Sequence, residues 1–296
     1  MVRIATRASA LARWQAERVV ALLGGDAELV LITTEGDRDQ TSELHAIGGR
    51  GVFTREVQRA VLDGRADVAV HSAKDLESTT PDGLLLAAVP ERDDPRDALV
   101  GSTLGALPVG ARIGSGSVRR RAQLAHARPD LVFGPLRGNI GTRLARRAEA
   151  GYDAIVVAFA ALRRLGLAAE ATEVLDPAVM LPQAAQGALA VECRIDDDDT
   201  RERLAAIDDR QVHRAVTAER AFLAALAASE PGSGCNIPCG ALASTGAGPV
   251  TVEALLASTD GRTVLRAGAT DDDPGTAGTT VAAELLGAFP PDAVIR

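Results

Sequence analysis

Over the first two-thirds of the chain, short β-rich runs alternate with longer segments whose apolar residues recur at helical spacing. That alternation predicts parallel sheets covered by helices. Strands are expected at 2–6, 29–33, 68–71, 84–89, 131–133 and 154–157, with helices at 10–23, 53–63, 118–127, 140–150 and 159–165. Two prolines and four charges in Pro90-Glu91-Arg92-Asp93-Asp94-Pro95 interrupt the pattern and read as a linker. A second boundary falls near the acidic run Asp196 to Asp199. Beyond it, a helical pattern at 212–228, a turn-rich loop at 229–240 and strand-like runs at 250–256 and 263–267 describe a smaller α+β unit.

A chain of 296 residues exceeds the usual single-domain size, so two or three domains are expected. No run approaches the roughly 20 apolar residues that cross a bilayer, and the N-terminus lacks the pattern of an export signal. A cytoplasmic protein without a membrane partner is the expectation. Three cysteines, Cys193, Cys235 and Cys239, argue against a disulfide framework and fit no four-ligand zinc pattern, so no metal is expected.

Charge changes the picture more than size does. The net charge is -8, yet nine arginines stand against one acid, Asp130, between Arg112 and Arg147. For an arbitrary charge run a solvated face is the commoner explanation. Three expected strand-to-helix junctions carry arginine beside small or capping residues: Thr6-Arg7-Ala8-Ser9, Ser115-Gly116-Ser117-Val118-Arg119-Arg120 and Arg137-Gly138-Asn139-Ile140-Gly141-Thr142-Arg143. Ser9, Ser117 and Asn139 can serve as ordinary N-caps, but capping does not call for arginine each time. Arginine pairs with carboxylates through two parallel hydrogen bonds, so junctions facing one cleft would suit a polycarboxylate. Net acidity and few aromatic platforms weigh against nucleic acid. All the other cations being arginine, the single lysine, Lys74 in His71-Ser72-Ala73-Lys74-Asp75, hints at a need for a compact ammonium; chance survival is equally open.

Cys235 lies in Gly232-Ser233-Gly234-Cys235-Asn236-Ile237-Pro238, whose glycines let backbone approach a ligand. Such a thiol can be reactive or can be inert packing. Cys193 alternates like a strand residue and reads as structural. No histidine lies near Cys235 in sequence, which leaves a thiol protease without support. The C-x-x-x-C spacing of Cys235 and Cys239 is not the familiar redox motif.

Taken in order, Ile4-Ala5-Thr6-Arg7, His71-Ser72-Ala73-Lys74-Asp75, Glu91-Arg92-Asp93-Asp94-Pro95-Arg96-Asp97-Ala98, Leu136 to Arg143, Leu181-Pro182-Gln183-Ala184-Ala185-Gln186-Gly187 and Gly234-Cys235-Asn236-Ile237-Pro238 resemble the hydroxymethylbilane synthase (porphobilinogen deaminase) family. The resemblance spans residues 4 to about 242. It implies an α/β fold of two periplasmic-binding-protein-like lobes with a smaller C-terminal α+β domain, divided here as 1–90 with 188–205, 91–187, and 206–296. It implies a monomeric transferase of haem biosynthesis that condenses four porphobilinogen molecules into linear hydroxymethylbilane and releases four ammonia.

The resemblance also implies a covalent dipyrromethane cofactor on a thioether to Cys235, a soft nucleophile suited to an electrophilic methylene carbon. Asp75 matches the catalytic aspartate, which would stabilise the azafulvenium cation left when ammonia departs. Arg7, Arg119, Arg120, Arg137, Arg143 and Arg164 match positions that bind acetate and propionate groups, with Ser9, Ser117 and Asn139 in the same junctions. Lys74 would meet a substrate carboxylate or position Asp75, and Gln186 matches a cleft position. Some residues depart from the commoner pattern: Arg50 and Arg55 stand where lysines are usual, Gly116 where serine is usual and Glu77 where proline is common, and Cys239 is an extra thiol. A noncatalytic two-lobed receptor for a polycarboxylate is the alternative from another class, because one fold hosts many functions.

The choice of cysteine is testable by mass. Cys235→Ser is expected to abolish a covalent mass excess of two pyrrole units, and Cys239→Ser to retain it. Peptide mapping of the adduct to Cys239 or Cys193 would overturn the assignment.

Overall fold

The computed structural model describes residues 1–33, 54–229, 237–290 and 293. A first lobe runs through β1 (Val2–Arg7), α1 (Ala10–Leu22), β2 (Ala27–Ile32), α2 (Arg55–Leu62), β3 (Val68–Ser72) and β4 (Leu84–Ala88). The second contains β5 (Asp97–Val100), β6 (Arg112–Gly114), α3 (Val118–Ala127), β7 (Val132–Gly134), α4 (Ile140–Glu149), β8 (Ala154–Ala158), α5 (Phe159–Arg164) and β9 (Glu173–Val174). The chain returns to the first sheet as β10 (Leu189–Arg194). It continues through α6 (Asp198–Ala205), α7 (Arg210–Ser229), β11 (Cys239–Ser244), β12 (Val250–Ala257), β13 (Val264–Asp271) and α8 (Pro274–Ala288).

The two larger sheets have the orders β2-β1-β3-β10-β4 and β7-β6-β8-β5-β9. In each, three strands run parallel, the fourth is antiparallel to its neighbour, and the fifth is antiparallel to the fourth. The lobes therefore share one layout. The fourth strand of each, β10 or β5, is the one laid down after the chain crosses from the other lobe. Helices on both faces explain the continuous apolar runs: every residue of Ala154–Ala158 in β8 is buried. The third sheet is antiparallel, β11-β12-β13, and packs on α7 and α8 around Phe222, Leu226, Val252, Val281 and Leu285. The α/β character and the smaller C-terminal α+β unit agree with the expected fold class.

Residues 89–96 and 175–188 form the two crossings between lobes, and they run side by side. The Asp93 N–H donates to the Gly187 carbonyl at 3.0 Å, and the Leu189 N–H to that of Glu91 at 3.1 Å. Gly187 adopts φ +87°, and a Cβ there would strike the Asp93 carbonyl, so this approach requires glycine.

Glu219 of α7 locks the third unit onto these crossings. Its fully buried carboxylate takes two hydrogen bonds from Arg92, at 2.6 and 3.2 Å, and accepts the backbone N–H groups of Ala185 and Ala243. One side chain thus joins the first crossing, the second crossing and β11. Ala185 has φ +61°, the left-handed region that residues with a Cβ rarely adopt, and its N–H bond to Glu219 helps hold it there.

Removing one partner of a buried ion pair leaves the other uncompensated, at a cost of about 3–5 kcal/mol. Glu219→Ala is expected to lose stability on that scale in urea unfolding. A loss below about 1 kcal/mol would show that Glu219 is not the anchor.

Candidate active site

The first lobe contributes polar groups where β1 and β3 end. Ser9 caps α1, its hydroxyl accepting the Ala12 N–H at 3.4 Å, and Arg7 closes β1 just before it. After β3 the chain tightens into a 3-10 turn, Ala73–Asp75, which carries Lys74 and Asp75. Arg7, Ser9, Ala12, Gln15, Ser72 and Asp75 line a cavity of about 60 Å³. The Gln15 amide donates to Ser72 Oγ at 2.7 Å. Neither Gln15 nor Ser72 was singled out from sequence, although a glutamine on the apolar side of an amphipathic helix is the kind of signal that marks a buried polar contact.

The second lobe contributes helix N-termini. Ser117 caps α3 by accepting the Arg120 N–H at 3.4 Å, and Asn139 caps α4 by accepting the Thr142 N–H at 2.9 Å. Both caps are thereby engaged in ordinary helix starts. Arg119 and Arg120, in the first turn of α3, are buried and converge on the fully buried Asp97 at the start of β5, at 2.8 and 2.7 Å. Arg119 also donates to the Leu181 carbonyl and Arg120 to that of Val156. Burial opposes the charge on Asp97, but the two guanidiniums prevail and hold it well below the usual carboxylate range.

Gln186, on the second crossing, joins the lobes. Its amide N–H groups donate to Asp97 at 3.0 Å and the Pro95 carbonyl at 2.7 Å, while its oxygen accepts Lys74 Nζ at 3.0 Å. Gln183 donates to the Lys74 carbonyl at 3.0 Å and steadies the turn that carries Lys74 and Asp75. Burial, and then Arg120, push the Lys74 ammonium down to about 8, against the opposing pull of Asp75 and Asp97. Arg143, donating to the Gly138 carbonyl at 2.7 Å, is likewise lowered by burial and Arg120, to about 10, with Asp75 opposing. Asp75 therefore faces cations from both lobes.

Three expected residues remain: Arg164, Arg137 and Cys235. Arg164 donates to the Gly187 carbonyl at 2.5 Å, lies 3.9 Å from Asp93 and sits over the Trp14 ring, 5.4 Å from its centroid. It bears on both crossings and on α1. Arg137 Nη1 is buried and has no hydrogen-bond partner among the described residues. Cys235 lies outside the described residues.

Two departures from the commoner pattern explain each other, because Arg55 donates to Glu77 at 3.0 and 2.8 Å. A third has a steric cause: a Cβ at Gly116 would lie 2.9 Å from the Leu136 carbonyl oxygen, so a serine would require that backbone to shift.

Comparisons with known proteins show the family to which the chain belongs. A protein-family model described as porphobilinogen deaminase, dipyromethane cofactor binding domain, matches residues 2–202, and one described as its C-terminal domain matches 213–287. The chain belongs to the porphobilinogen deaminase family. The porphobilinogen deaminase of Acidithiobacillus ferrooxidans (strain ATCC 53993 / BNL-5-31) is 45% identical over 293 residues, covering 96% of this chain and 94% of its own. That of Roseiflexus castenholzii is 45% identical over 295 residues, covering 96% and 95%. Among solved structures, the Bordetella pertussis BvgS VFT2 domain (double mutant) is similar at 16% identity and a TM-score of 0.41, covering 70% of this chain and 85% of its own. The cofactor for which the family model is named fits the residues present, since the buried, unpartnered Arg137 Nη1 and the surplus of cations over Asp75 and Asp97 call for anionic groups. No helix among the described residues is long and apolar enough to cross a membrane.

Lys74 supplies a pH test. Its ordinary value is 10.5 and its folded value about 8, so between them the unfolded chain binds more protons and folding gains stability as pH rises. Below about pH 8 the cost of the buried ammonium is fully present. In primer-free Cys235→Ser protein, adding Lys74→Met is expected to raise urea resistance at pH 7 and to flatten the rise between pH 8 and 10.5. Parallel stability profiles for the two proteins would contradict the assignment.

Proposed function

We propose a division of labour for the reaction of this family, in which four porphobilinogen molecules are condensed into hydroxymethylbilane with loss of four ammonia. Asp75 is the catalytic carboxylate. The observation that carries this reading is its place in the cleft, beside Arg7 and Ser9 and facing both Lys74 and Arg143.

Departure of ammonia from the aminomethyl group of porphobilinogen leaves positive charge spread over the pyrrole. A fixed carboxylate beside the ring stabilises that charge as it develops and accepts the pyrrole N–H, without reorganisation at the moment of reaction. Arg7, Arg137 and Arg143, with Ser9 and Ser117, bind acetate and propionate groups, and paired guanidinium–carboxylate contacts fix ring orientation as well as affinity. Arg119 and Arg120 keep their charge in place through Asp97 and offer their remaining donors to the same groups. Lys74 adds a compact cation next to Asp75. Asn139 shapes the start of α4, and Arg164 braces the crossings from which Gln186 reaches the cleft.

Cys235 is the attachment point for the dipyrromethane, which when bound supplies the terminal pyrrole carbon for elongation. Its four carboxylates match the abundance of arginine better than a single small anion would. The reading takes the chain as a cytoplasmic, monomeric transferase, with domains at 1–90 with 188–205, 91–187, and 206–296. The noncatalytic receptor is not favoured, because the matched family consists of deaminases.

Asp75→Asn keeps the shape of the side chain and removes its charge. It is expected to lower kcat at least about a hundredfold, a loss typical of one electrostatic stabiliser, while the protein stays folded and retains its two-pyrrole mass excess. Turnover within a few-fold of the parent would remove Asp75 from the catalytic role.

A further inference from the structure

We infer that Asp97 is a positioning residue, whose buried carboxylate fixes Arg119 and Arg120 directly and Lys74 through Gln186, so that cations from both lobes form one preset anion site. The inference rests on the porphobilinogen reading of the cleft and adds a residue that touches no substrate.

Two observations support it. Asp97 is fully buried at the first residue of β5, immediately after the first crossing, and it takes contacts from Arg119, Arg120 and Gln186 at 2.8, 2.7 and 3.0 Å. Gln186, also fully buried, passes the connection across the gap to Lys74 at 3.0 Å, beside Asp75. The chain Lys74–Gln186–Asp97–Arg120 thus runs from the catalytic turn of one lobe, over the crossings, to the helix N-terminus of the other.

Electrostatics make such an anchor necessary. The charged groups acting on Lys74 are Arg120, Arg119, Asp75 and Asp97, and the two arginines would drive its ammonium away or discharge it if Asp97 were neutral. Long arginine and lysine side chains lose much rotamer freedom when ordered; an internal carboxylate that orders them before substrate arrives lowers the cost of binding. Glutamine suits the relay because one amide donates to Asp97 while accepting from Lys74. Neither aspartate nor lysine could do both.

The single lysine makes the test direct. In protein labelled with ¹³C-lysine, the Lys74 side chain gives one titrating signal. Asp97→Asn is expected to move its midpoint down by about one unit or more, the scale of losing one nearby opposite charge, and to raise the porphobilinogen KM about tenfold or more, as loss of charge-assisted contacts does. Asp97→Glu is expected to recover most of both. Gln186→Met keeps the Asp97–arginine pairs, and so tests the relay even where Asp97→Asn does not fold; it is expected to shift the titration the same way and to raise KM.

An unchanged Lys74 midpoint together with an unchanged KM in folded Asp97→Asn, or in Gln186→Met, overturns the inference. Parent protein that consumes no porphobilinogen, yet shows the shifted midpoint in the variants, would instead sink the reading of the substrate and leave the positioning role standing.

Discussion

Crowding several cations into a buried or partly buried cleft is the constraint on which the structure turns. A guanidinium or ammonium out of water is costly unless anions and hydrogen bonds replace its hydration, and neighbouring like charges raise the cost. Asp97 answers this on one side of the cleft by serving Arg119 and Arg120 together, and Asp75 faces Lys74 and Arg143 on the other. The balance still favours positive charge. Burial, and then the nearby Arg120, lower Lys74 and Arg143, and Arg137 Nη1 has no hydrogen-bond partner among the described residues; a ligand rich in carboxylates would offset that shortage of anions.

The surrounding fold keeps these charges in register. Both crossings pass the cleft, with Glu219 binding Arg92 from one and the backbone of Ala185 from the other. The third unit also grips α3 at its far end: Leu255 and Ala257 pack on Ala122, and His126 Nδ1 lies 3.1 Å from the Gly261 carbonyl oxygen. The helix that begins with the paired arginines therefore ends beneath the third unit.

Much of this was legible in the sequence where local chemistry is strong. Ser117 and Asn139 start α3 and α4 where capping residues precede an amphipathic run, and β1, β3 and β8 follow their β-branched segments. Short strands without such punctuation were not: β5 and β6 have four and three residues and owe their pairing to tertiary neighbours. The acidic run near residue 197 read as a boundary; in the structure Asp197 caps α6 and two further acids occupy its first turn, favoured there by the helix dipole. At the site, the isolated lysine and the arginine-bearing junctions were visible. Asp97 was not, since its partners lie more than 20 residues away and its motif reads as the end of a linker. The same distance hid Gln15 from Ser72 and Glu219 from Arg92.

An experimental structure of the primed protein tests the polycarboxylate cleft most directly. Pyrrole carboxylates are predicted within hydrogen-bond reach of Arg7, Arg137 and Arg143, with Asp75 at the pyrrole nitrogens and Asp97 still paired with Arg119 and Arg120. Carboxylates seated on other groups, with Asp75 turned to solvent, would contradict it.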